Sequence, residues 1–174
     1  MITQNIHINS ILSAHSAMIG ADMDRYRNHV YRVYNFAMYF NKGEEAELLA
    51  VAAAFHDIGI WTDKTFDYLE PSIKLAVEYA DAHPELYLSP EKLTQVITFH
   101  HKTTTVKLNA TAEHFRWADI ADLTFGLIRF GIPKQLYKDA VRGFPIKGFH
   151  WKLVKLTLKQ LTVNPLNPLP MFKW

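Results

Sequence analysis

The chain carries nine histidines and no cysteine, and several of its acids stand close to histidines. Residues 50–61, "AVAAAFHDIGIW", are apolar except at His56 and Asp57. An ionisable pair inside such a segment is costly unless it is partnered or bound to a metal. The dipeptide therefore reads either as part of a metal site or as a polar turn that ends a buried helix. Other titratable groups could join it: His29 in "DRYRNHVYRVYNF", His100 and His101 in "ITFHHKTTT", and Asp119 and Asp122 in "RWADIADLTF". Without cysteine there are no disulfides, thiolate nucleophiles or sulfur ligands, so any metal must be held by nitrogen and oxygen.

The elements that must position these groups are helices. His29, Val30, Val33, Phe36, Ala37 and Phe40 recur at helical spacing, and Asp22 or Asp24 is available as a cap. "EEAELLAVAAAFHDIG" opens after Gly43 with acids in its first turn and is expected to stop at Gly59. It is apolar nearly all round, as a central helix should be. Helices are also expected over 71–83, over 89–101 with Ser89 as cap and Pro90 at the first position, over 111–125, from Pro133 to Gly143, and over 148–161. No alternating strand pattern and no internal repeat occurs. The expected fold class is all-α, a single-domain helical bundle.

That domain is expected to occupy residues 1–174, with a motif-bearing core at about 20–130 and C-terminal helices and an extended tail at 131–174. A chain of 174 residues that is 49% hydrophobic can bury a full core in one domain. A formal charge of +2 with both signs interleaved leaves no strong footprint for nucleic acid or an acidic membrane. The longest apolar run, 48–61, is too short for a bilayer span, and the first twenty residues lack the features of a secretion signal, so the expected location is the cytoplasm. The proline-rich "NPLNPLPMFKW" reads as an extended strap. Its Leu166, Leu169, Phe172 and Trp174 need cover from the domain itself or from a sister chain, which makes a homo-oligomer an expected state.

Set on these helices, His29 lies on an apolar face, His56 with Asp57 and His100 with His101 end two others, and Asp119 and Asp122 stand one turn apart on a further one. Metal sites in helical bundles are built from such inward-facing groups on facing helices. Adjacent helical residues diverge by about 100°, so His56 and Asp57 share an ion only if it lies between their two directions, which a helix end permits. Taken alone, His29 fits a satisfied core histidine and Asp122 a surface acid. The aromatics Phe36, Tyr39, Phe40, Phe55 and Trp61 read as core.

In their order along the chain, His29, the dipeptide in "FHDIG" and the aspartate in "RWADIAD" resemble the HD-domain superfamily of metal-dependent hydrolases. The resemblance implies one divalent metal on His29, His56, Asp57 and Asp119, with Asp122 behind them. It implies a water activated by the ion and an attack on a phosphate ester, so a small phosphorylated compound or nucleotide is the expected substrate. Two imidazoles and two carboxylates favour Mn, Co, Ni, Fe or Zn over Mg. Asp57 is expected to orient or deprotonate the nucleophile, and His100 or His101 to protonate the leaving group. Arg32, Lys64 and Lys102 are the expected phosphate-binding cations, with pairing to Asp57 or Asp119 the alternative for Arg32. The pattern departs from the superfamily at Ile60, where many members carry a charge. In dinuclear branches a histidine pair like His100 and His101 helps to hold a second metal. A dinuclear iron oxygenase of the same fold and a non-catalytic metal-binding HD module are therefore the alternatives.

Overall fold

Five buried positions in a row, Ala50, Val51, Ala52, Ala53 and Ala54, let neighbouring helices approach the middle of the chain closely. They belong to α4 (Ala46–Phe55), which contacts α1 (Ile6–Ala14) and α3 (Met23–Phe40). In this computed structural model residues 1–166, Leu169 and Met171 are described. The remaining elements are α2 (Ser16–Ile19), α5 (Gly59–Thr62), α6 (Leu69–Ala82), α7 (Pro90–Phe99), α8 (Ala110–Leu123), α9 (Lys134–Gly143) and α10 (Phe149–Val163), with single 3-10 turns at Gly20–Asp22 and Pro84–Leu86. Among the described residues there is no strand, so the all-α expectation holds. One cluster of buried apolar side chains runs from Ile8 to Met171.

The longest helix, α3, packs along α8, while α6 packs along α7 and α7 against α8. These pairings bring the inner side of α3 to the C-terminal ends of α4 and α7. Ser89 and Pro90 start α7 as expected, the Ser89 hydroxyl accepting from the Lys92 amide at 3.2 Å. Asn109 caps α8 in the same way, accepting from the amides of Thr111 and Ala112.

Several expectations are corrected. The N-terminal segment, for which the sequence suggests no particular helix, forms α1: Asn5 caps it and Ile8, Ile11 and Leu12 bury one face. Helix α4 stops at Phe55 rather than Gly59, so His56, Asp57 and Ile58 form a turn, and Gly59 begins the short α5. Gly59 is there for space, since a Cβ at this position would lie 2.5 Å from the Tyr68 carbonyl oxygen. Asp22 makes no capping bond; it accepts from Trp61 Nε1 at 2.9 Å and pairs with Lys152. Tyr39 is 43% exposed, not core. In the strap, Leu166 is exposed, Leu169 packs on the core and Met171 is buried; Phe172 and Trp174 lie outside the described residues.

Candidate metal centre

Two helices end alike at the centre. His56 follows the last residue of α4, and its Nδ1 lies 2.8 Å from the carbonyl oxygen of Ala53, three residues back. His100 follows the last residue of α7, and its Nδ1 lies 2.6 Å from the carbonyl oxygen of Ile97. A carbonyl only accepts, so each ring carries its proton on Nδ1 and turns the lone pair of Nε2 inward. The last helical turn has carbonyls without intrahelical partners, and these two histidines use them.

His29 is oriented by side chains instead. Its Nδ1 lies 2.7 Å from Asp122 Oδ2, and Arg32 Nε and Nη2 donate to Asp122 Oδ1 and Oδ2 at 2.5 and 2.8 Å. Arg32 Nη1 also donates to the Phe144 carbonyl at 2.8 Å. Phe149 of α10 stacks on the His29 ring, with centroids 4.1 Å apart. A carboxylate behind a histidine in this way fixes the tautomer and raises the basicity of the far nitrogen. His29 Nε2 consequently points at His56 Nε2, 3.0 Å away.

Two carboxylates close the space. Asp57 Oδ2 is 3.6 Å from His29 Nε2 and 3.4 Å from His56 Nε2, while Asp57 Oδ1 is 3.5 Å from His100 Nε2. Asp119 Oδ1 is 3.5 Å from His29 Nε2 and 3.9 Å from His56 Nε2, and Asp119 Oδ2 is 3.3 Å from His101 Nδ1. The other nitrogen of His101 is 2.8 Å from the Tyr68 hydroxyl. All of these side chains are buried. His29, His56 and Asp57 form one group whose ligand atoms could hold an ion, and Asp57, His100 and His101 form a second, so Asp57 belongs to both.

The electrostatics follow from this crowding. Burial works against a charge on His29, but the Asp122 and Asp57 carboxylates raise it to about 9. Burial, aided by the positive charge of neighbouring His29, lowers His56 to about 3. Burial pushes Asp119 up to about 7, with Asp57 and Asp122 adding to the rise. Asp122, despite its burial, is held well below the usual carboxylate range by Arg32. Several acceptors still lack a donor. Asp57 Oδ1, His100 Nε2 and both oxygens of Asp119 are buried without a hydrogen-bond partner among the described residues. Buried acceptors left so are expensive. A divalent cation on nitrogen and oxygen would satisfy them together, so the donor set fits the metal expected from the sequence.

The structure brings His29, His56, Asp57, His100, His101 and Asp119 within one buried cluster. It places the expected phosphate-binding cations elsewhere. Arg32 is fully buried behind Asp122, a partner different from both Asp57 and Asp119, and its guanidinium is committed to structure. Lys64 is exposed and lines a surface groove with Ile60, Phe66, Leu156 and Lys159. Lys102 is half-buried, and its carbonyl accepts from Arg116. Histidines 7, 15, 83, 114 and 150 lie outside the cluster and bond Tyr79, Ile11, Glu85, Asn41 and Asp122 respectively. The sequence reading missed Tyr68, Phe149, Lys159 and Met171, because nothing local distinguishes them from other aromatics, lysines and methionines. Only the packing of the loop before α6, of α10 and of the strap against the bundle gives them a role.

A helical bundle with histidines and aspartates converging from α3, α8 and the ends of α4 and α7 is the architecture of a metal-binding domain. Residues 26–138 match the family model of the HD domain, more than half of the chain, and the chain belongs to that family. No curated protein and no solved structure matches it.

Proposed function

We propose that the protein is a metal-dependent hydrolase that cleaves a phosphate ester of a small molecule with a water as nucleophile. The observation that carries this reading is the pair of inward Nε2 atoms of His29 and His56, flanked by the carboxylates of Asp57 and Asp119, of which Asp57 Oδ1 and both Asp119 oxygens lack donors among the described residues. His29, His56, Asp57 and Asp119 would hold the ion. When bound, a divalent ion acidifies a water and offsets charge on a phosphoryl oxygen. Asp57 is placed to orient that water and accept its proton. Asp122 and Arg32 position His29. The water oxygen bonds to phosphorus, the ester P–O bond breaks, and the departing oxygen takes a proton from His101, or from His100 once its Nε2 has accepted the water's proton from Asp57 Oδ1, 3.5 Å away. Lys64, on the groove that shares Phe66 with the wall beside His101, would be the first cation to meet an approaching anion, with Lys102 the second candidate. Manganese, cobalt, nickel, iron and zinc all suit the donors.

The test is direct. Protein loaded in turn with each of these metals, given a panel of phosphate monoesters, should release inorganic phosphate, and a chelator should stop the release. Metal-loaded protein that cleaves no phosphate ester would overturn the reading.

A second reading is favoured by the position of Asp57 between two groups, with Oδ2 toward His29 and His56 and Oδ1 toward His100. Such a carboxylate suits two metals, and two irons with oxygen uptake would make the protein an oxygenase. Metal analysis separates the two readings: one ion per chain supports the hydrolase, and two irons with oxygen consumption support the oxygenase.

A further inference from the structure

A cavity of about 170 Å³ adjoins the metal centre. Tyr68 and His101 form its inner wall, and they are the pair whose hydroxyl and ring nitrogen meet at 2.8 Å. His101 turns its other nitrogen to Asp119 at 3.3 Å, so one side chain separates the cavity from the cluster. The rest of the lining is largely apolar: Phe66 from the loop before α6, Leu123 from the end of α8, Leu153 from α10, and Leu169 and Met171 from the strap, with Thr157 of α10, whose hydroxyl already donates to the Leu153 carbonyl at 3.0 Å, the one further polar side chain among the described residues. Among the described residues Tyr68 and His101 are the only ionisable side chains that line it, and burial favours the neutral form of His101. Lys64 and Lys159 line the neighbouring groove, which shares Phe66 with the cavity.

We infer that this cavity receives the non-reacting part of the substrate, and that this part is a compact, uncharged, mostly apolar group about the size of a benzene ring. The inference rests on the hydrolase reading for the reaction but not for the binding. Size supports it. An engineered apolar cavity of about 150 Å³ lined by leucine, isoleucine and phenylalanine takes up benzene, whereas drug-sized ligands need about 300 Å³ or more. Polarity points the same way. Each ribose or sugar hydroxyl placed against these walls without a partner loses its hydration uncompensated, and a second phosphate loses far more. A nucleotide or sugar phosphate therefore loses on both counts, and a short alkyl or aryl ester does not. The anionic end of such a molecule would lie on the His101 side, toward Asp119, and the body against Leu123, Leu153 and Met171. The larger apolar groove lined by Phe125, Ile146 and Trp151, about 370 Å³, contains none of the centre's side chains and offers no route to the reacting atoms.

The experiment uses the full chain loaded with manganese. Binding is read first without turnover, by thermal shift and ligand-observed NMR, with phenol as the apolar probe and ribose as the polar one. Phenol should bind and ribose should not. Leu153→Trp, which fills the cavity, should weaken phenol binding at least tenfold with metal content unchanged. Phe66→Ala, which enlarges it, is the second variant should the first fail to fold. It should raise the preference for 1-naphthyl phosphate over phenyl phosphate at least tenfold. Turnover is read next, and phenyl phosphate should exceed AMP and glucose 6-phosphate in kcat/KM at least tenfold. Equal binding of phenol and ribose, or AMP as the better substrate, would overturn the inference. Phenol binding that Leu153→Trp removes, in a protein that cleaves no phosphate ester, would leave the cavity assignment standing and sink the hydrolase reading.

Discussion

His29 Nε2 and His56 Nε2 face each other at 3.0 Å, while the Nδ1 atom of each ring is committed to Asp122 and to the Ala53 carbonyl. Two inward lone pairs at that distance repel unless a cation lies against both, either a proton or a metal ion. The protein spends a buried arginine and a buried aspartate to aim one of these rings. Such an investment is unusual for histidines that only fill a core, and it gives the metal assignment its first consequence.

Asp57→Ala should abolish metal retention while leaving the helical content intact. The side chain is within 3.6 Å of three histidines and makes no bond on which a helix depends. Elemental analysis after dialysis, with circular dichroism as the control for folding, reads the outcome. Full metal content in the variant would show that the ligand set is wrong.

Asp122→Asn should act at a distance, on stability and on the metal together. It removes the charge opposite Arg32, which is fully buried, and breaking a buried pair from one side costs about 3–5 kcal/mol. It also replaces the carboxylate behind His29 Nδ1 with a neutral amide, and weakening such a support lowers metal affinity about 10- to 100-fold. Denaturant unfolding and a competitive metal titration measure the two effects. An unchanged affinity would mean that Asp122 serves only Arg32.

Gly59→Ala tests the close approach between the turn after His56 and the start of α6. Its Cβ would meet the Tyr68 carbonyl oxygen at 2.5 Å and Pro71 Cβ at 3.1 Å. Backbone yields little, so a loss of about 1–3 kcal/mol is expected. Because Tyr68 orients His101, activity should fall further than stability alone explains. Thermal melts and kcat/KM measured well below the melting point separate the two.

The Asp22 carboxylate ties α10 to the front of the bundle, accepting from Trp61 Nε1 and pairing with Lys152 and Arg25. Partial burial raises its pKa, but Lys152 and Trp61 outweigh this and hold it below its ordinary value of 3.8. The folded form thus binds the proton more weakly than the unfolded one. The stabilisation is present above the ordinary value and is lost as the pH falls through the folded value. Asp22→Asn should lower Tm by a few degrees at pH 7, and the gap from the parent should narrow below about pH 4. A gap that stays constant to pH 3 would refute the assignment.

Deleting residues 164–174 should lower Tm by about 4–8 °C, because Met171 is buried and Leu169 packs on the core. Melting curves and sedimentation read the result, the second reporting whether a sister chain shares in covering the tail. No change in either would mean that the strap is dispensable.

The class of fold and the identity of the central side chains were readable in the sequence. Helical periodicity in 23–40, the cap at Ser89 and the break at Pro133 are local features, and the structure has them where they were expected. His29, His56, Asp57 and Asp119 stood out because ionisable groups on apolar faces are rare without cause. What each group touches was decided by packing. Arg32 looked like a substrate ligand because an arginine near a cluster of acids can turn to either side; the approach of α8 to α3 gave it Asp122 and sealed it from solvent. The turn at His56 to Ile58, read as a continuing helix, depends on Gly59 meeting Tyr68, which is nine residues away in sequence. The cavity beside His101 has walls from five separate stretches of the described chain, the last of them at Met171. Residue types and local spacing determine which side chains are able to do chemistry, because those properties belong to short segments. Orientation, burial and the shape of the space between them come from contacts between segments far apart in the chain, and only the folded structure contains those.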